Sequence, residues 1–140
     1  MENKQLLYFK QLKIAGLHTI SFFGYVLHIA IHAMLAPGMD EALLNETMKM
    51  LKEPSGIVMM VVFTILSLLP ALFSYIFKSK NGWKVIAIFG LIMAVLNGLH
   101  ACAHIIQGDV LNGLTTFVVQ VPPAIIAVIM SFKLLKLFEA

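Results

Sequence analysis

Five histidines occur in the 140-residue chain, and four of them form two pairs of the same spacing, His28 with His32 and His100 with His104. On a helix, residues four apart share one face about one turn from each other, so each pair can present two imidazoles side by side. Imidazole is a ligand for zinc, copper, nickel and iron, and for haem iron in particular, which makes the two pairs a candidate cofactor or metal site. The surroundings of the pairs match as well, Leu27-His28-Ile29-Ala30-Ile31-His32 against Leu99-His100-Ala101-Cys102-Ala103-His104, with a weaker match of Leu69-Pro70-Ala71 to Pro122-Pro123-Ala124.

The elements that must carry these histidines are set by composition. With 60% hydrophobic and 12% charged residues and a mean hydropathy of +0.92, the chain holds more apolar side chain than a soluble domain of this length can bury. Four apolar runs, about 14–36, 56–77, 85–107 and 113–132, each approach the ~20 residues needed to cross a ~30 Å hydrocarbon core. Their lack of strand-like alternation makes them helices, because backbone in lipid must satisfy its own hydrogen bonds. The expected fold is therefore all-α, one integral membrane domain over 1–140, a bundle of four transmembrane helices built from two pseudo-repeated hairpins.

Ten lysines stand against seven acids, with no arginine, and their placement is a topology signal rather than a nucleic-acid footprint. Lys4, Lys10 and Lys13, then Lys78, Lys80 and Lys84, then Lys133 and Lys136 flank one side of the predicted spans. On the other side Lys49 and Lys52 are diluted by Asp40, Glu41, Glu46 and Glu53, and the second loop carries Asp109. The positive-inside rule then puts both termini in the cytoplasm, in the plasma (inner) membrane of what lysine usage suggests is a bacterium. Both hairpins start inside, so the repeat axis lies along the membrane normal. Trp83 and Tyr75 are expected as interfacial anchors, and 39–53 as an amphipathic helix on the outer surface. The lone Cys102 excludes an internal disulfide, and the first hydrophobic run reads as a full span rather than a cleaved signal.

At ~1.5 Å per residue, His28 and His32 lie ~22 and ~28 Å from the level of Lys13, and His100 and His104 lie ~24 and ~30 Å from Lys84. All four imidazoles thus reach one layer in the outer half of the bilayer. His18, Ser21, Tyr25, His28 and His32 share one face of the first helix, and Asn97, His100, His104 and Gln107 one face of the third, with Gln120, Met59, Met60 and Thr64 at matching depth. Ionisable groups in a membrane are costly and mark functional sites.

Haem b is the first expectation: His28 and His100 ligate iron from opposite faces on the repeat axis, His32 and His104 hydrogen-bond the propionates, and Gly24 gives the macrocycle room. A closed, low-spin site of this kind suits electron transfer, with a quinone or an outer-side redox partner as the exchange party, and histidines on two helices around a haem make the plan similar, in architecture alone, to small four-helix membrane b-type cytochromes. Tyr25, Ser21 and His18 would line a quinone or proton path, although His18 alone reads better as packing glue. The alternative is a bare transition metal held by His28, His32, His100 and His104, for storage, sensing or transport, with Asp40, Glu41, Glu53 and Asp109 attracting cations. Outer methionines, among them Met34, Met39, Met48 and Met50, read as helix filler before soft-metal ligands. Metal-assisted catalysis lacks a carboxylate within the spans, and membrane di-iron oxygenases need H-x-x-H-H patterns absent here. A non-catalytic subunit of a larger complex, or a homo-oligomer, keeps the fold without a ligand.

Overall fold

The computed structural model describes residues 2–35 and 52–138, the side chain of His32 lying outside that description. Among the described residues the chain is all-helical: α1 (Glu2–Leu35), α2 (Pro54–Ile76), α3 (Lys80–Ile106), the short α4 (Val110–Thr115), a π-helical turn (Thr116–Gln120) and α5 (Val121–Leu137). Four stretches are long and apolar enough to cross a membrane, Gln5–Ile31, Pro54–Ile76, Lys80–Ile106 and Val110–Leu137, the last made of α4, the π turn and α5 together. Large apolar side chains such as Phe23, Val58, Ile88 and Val118 point outward, as lipid-facing residues do.

The helices run past the predicted spans. The first begins at Glu2 rather than near Ile14, because Lys, Gln and Leu are strong helix formers and nothing in Glu2–Lys13 breaks the helix. The third begins at Lys80, where Ser79 caps it by accepting the Gly82 N–H at 3.2 Å. The expected amphipathic helix falls almost entirely outside the described residues, which resume at Lys52.

Helix α1 packs against α2 and α5, and α3 against α5 and α2, so α1 and α3 face each other across the bundle. The end nearer both termini is closed by an apolar layer of Ile14, Trp83, Ile86, Ala127 and Leu134. Trp83 is fully buried there, which corrects its expected role as an interfacial anchor: burying its large ring in the four-helix core outweighs a place at the headgroups. Tyr75 is exposed. The opposite end of the bundle is polar inside, with His28, His104, Asp109, Asn112, Thr116 and Gln120 all buried.

Candidate metal centre

Three of the four paired histidines converge. His28 comes from the last third of α1, and His100 and His104 from the last two turns of α3, one turn apart as their spacing predicts. The Nε2 atom of His100 lies 3.1 Å from Nε2 of His28 and 3.1 Å from Nε2 of His104. All three ligand nitrogens lie within 4.8 Å of one another, with the rings set edge to face around them. His32 sits one turn beyond His28 on the α1 backbone, and its expected part in the site falls outside the described side chains.

Two of the three rings are fixed from behind. Asp109 Oδ2 accepts a hydrogen bond from His104 Nδ1–H at 3.0 Å, which leaves the lone pair of His104 on Nε2, facing the other imidazoles. Asp109 reaches this position because Gly108 adopts φ +86°, a left-handed conformation open to glycine, and turns the chain back after α3. The same carboxylate caps α4: Oδ2 accepts from Asn112 Nδ2 at 2.8 Å and Oδ1 from the Asn112 backbone N–H at 3.4 Å. His28 Nδ1 lies 3.2 Å from Thr116 Oγ1, which also accepts from Gln120 Nε2 at 3.3 Å.

The π turn explains why Thr116 and Gln120 both reach α1. Pro122 and Pro123 have no N–H to give to the preceding turn, and the Val121 N–H bonds back to Thr116 O, five residues away. With its register loosened, this segment turns both side chains toward α1, where Gln120 Nε2 donates to Gly24 O at 3.3 Å and Ser21 Oγ donates to Gln120 O at 2.9 Å. The prolines thus act through a change of helical register.

Several expected contributors stand elsewhere. A Cβ at Gly24 would meet Gln120 Cγ and Val119 Cγ1 at 2.9 Å, so the missing side chain, expected to make room for a macrocycle, admits the π turn here. His18 is buried with its ring against Gly90, and its Nε2 has no hydrogen-bond partner among the described residues, so it fills space without the interhelical hydrogen bond expected of it. Thr64 is occupied by the Met60 carbonyl of its own helix, and Gln107, expected on the polar interior face, is exposed at the α3 C-terminus. Met34 and Met59 are exposed, as is Cys102. Nothing in the sequence singles out Thr116, and its pattern marks Asp109 only as a cation attractant. The one local hint is the i, i+4 spacing of Asn112, Thr116 and Gln120, three polar residues on one face of an apolar run.

The donor set fits an ion better than a haem. Two imidazoles bonding iron from opposite faces at ~2.0 Å each stand ~4 Å apart with a macrocycle plane between them, whereas His28 and His100 meet at 3.1 Å with their rings in contact. Nitrogens around a tetrahedral ion at the same bond length are ~3.3 Å apart, close to both short separations here. Comparison with protein-family models, with curated proteins and with solved structures gave no match.

Proposed function

We propose that this membrane protein binds a divalent first-row transition-metal ion through Nε2 of His28, His100 and His104. The observation that carries this reading is the position of His100 Nε2 between its two neighbours. A ring nitrogen has one hydrogen or one lone pair, so it cannot make two ordinary hydrogen bonds at once. A cation accepting a lone pair from each ring satisfies all three nitrogens together, and Asp109 behind His104 supplies the outer carboxylate typical of histidine metal sites. Imidazole donors suit zinc, copper, nickel or iron rather than magnesium or calcium, which prefer oxygen.

Lysine placement supports cytoplasmic termini in a plasma membrane, which puts the triad near the outer surface, where it would capture ions for uptake or sensing. The matched histidine segments support an origin by hairpin duplication. In that reading the two halves have diverged, the first hairpin giving one described ligand and the second giving two.

The test is metal analysis and an absorption spectrum of protein purified in mild detergent, alongside a His28→Ala, His100→Ala variant. About one transition ion per chain, lost in the variant, is the expected result. A Soret band with sharp reduced bands, lost in the same variant, would replace the ion by a b-type haem and bring electron transfer with a quinone or redox partner back as the function. Protein that neither carries nor takes up either would be a structural subunit.

A further inference from the structure

Resting on the metal reading above and deepening it, we infer that the chain carries the captured ion across the bilayer, along a polar path inside the bundle from the triad to His18, the midpoint of the Gln5–Ile31 span. The buried face of α1 places His28, Tyr25, Ser21 and His18 at successive turns, so an ion leaving His28 meets a polar group every ~5.4 Å. The π turn lines the same path: Thr116 Oγ1 lies 3.2 Å from His28 Nδ1 and 3.3 Å from Gln120 Nε2, and Ser21 Oγ donates to Gln120 O at 2.9 Å. Polar contacts thus link His28 to Ser21, and His18 stands on the next turn. Two atoms along this line set it apart from packing. Gln120 Oε1 and His18 Nε2 are buried without a hydrogen-bond partner among the described residues. Unpaired polar atoms in so apolar an interior are costly, and a leucine at 18 would fill the space against Gly90 without that cost. Helix α3 instead makes room for the imidazole, since a Cβ at Gly90 would meet His18 Cε1 at 2.8 Å. A carbonyl oxygen and an imidazole nitrogen can each give a lone pair to a passing cation, which spares the ion a step through hydrocarbon without a donor. Toward the termini the apolar layer around Ile14 and Trp83 closes the bundle, with the buried Gln11 on its far side. That layer has to part for the ion to leave, so the loading site is the triad and the exit is shut.

Zinc entry into vesicles provides the test. The full-length chain is reconstituted in phosphatidylcholine–phosphatidylglycerol vesicles that enclose a zinc-sensitive fluorescent chelator, with potassium and valinomycin balancing charge, and zinc binding to each variant is measured separately in detergent. Native protein should admit zinc saturably, above vesicles without protein. His18→Leu should bind zinc as the native chain does and admit it roughly tenfold more slowly or worse, the rate equivalent of one lost buried polar contact. Native protein that binds zinc without admitting it overturns the inference and leaves the metal site standing as one for storage or sensing. Entry that His18→Leu leaves unchanged overturns it as well, because the ion then crosses without His18. A His18→Leu chain that no longer binds zinc reports a damaged fold, and His18→Asn, a smaller polar replacement, is then judged in its place by retained binding and slowed entry. Failure of zinc to bind the native chain at all overturns both this inference and the metal reading beneath it.

Discussion

Asp109 has two roles that one substitution separates. Asparagine caps a helix as well as aspartate, so Asp109→Asn keeps the acceptor for the Asn112 backbone N–H and removes the charged Oδ2 acceptor that serves both His104 Nδ1 and Asn112 Nδ2. The variant should lose about 1–3 kcal/mol of metal-free stability, from the buried Asn112 amide left without its acceptor, and roughly 10–100-fold in metal affinity, the usual effect of removing an outer carboxylate, as read by competition with a chromophoric chelator. Unchanged affinity would reduce Asp109 to a cap. Thr116→Val removes the hydroxyl beside His28 at nearly constant volume, and a smaller loss in the same assay is expected because a neutral partner orients less strongly than a charged one. At this scale the meeting of His28, His100 and His104 was legible, since i, i+4 histidine pairs at one depth of an apolar bundle are costly unless they face one another or a ligand. Their partners were not, because Asp109 and Thr116 meet the rings only after the Gly108 turn and the π register are set, and neither residue type is informative alone.

The α4–π–α5 stretch is the element that connects the site to the bundle. It approaches α1 so closely at Gly24 that Gly24→Ala would drive a methyl group into Gln120, Val119 and the Val119 backbone. Overpacking of this kind costs about 1–3 kcal/mol, and the displaced π turn would also move Thr116 from His28. Both lower stability in denaturant titration and weaker metal binding are therefore expected from that variant. A stability loss alone would mean that the π turn does not position His28. Four spans and their order were readable from hydropathy, and Pro122-Pro123 announced an irregular helix. The kind of irregularity depends on which carbonyls the prolines leave without donors and what α1 offers in exchange, which composition does not encode. Helix ends were also underestimated, since lysine-bearing turns at a membrane edge continue a helix without adding to its hydropathy.

Across the whole molecule the apolar layer near the termini and the polar layer around the triad are separate. Trp83→Ala should cost on the order of 3–5 kcal/mol of stability through the cavity it leaves, with little change in metal affinity. Metal at 100 times its dissociation constant should stabilise the native fold by about 2.7 kcal/mol, and acidification should reverse this as protons take the imidazole lone pairs. The polar layer was legible as depth-matched histidines on two helices. The burial of Trp83 was not, because an aromatic near the end of a span fits a membrane interface as well as a core. The most direct measurement of the central claim is X-ray absorption at the metal edge of protein loaded with one equivalent of zinc. Three imidazole ligands at ~2.0 Å, reduced in number by His100→Ala, are the predicted result. A shell of water or sulfur donors without imidazole, or one that the substitution leaves untouched, would contradict it.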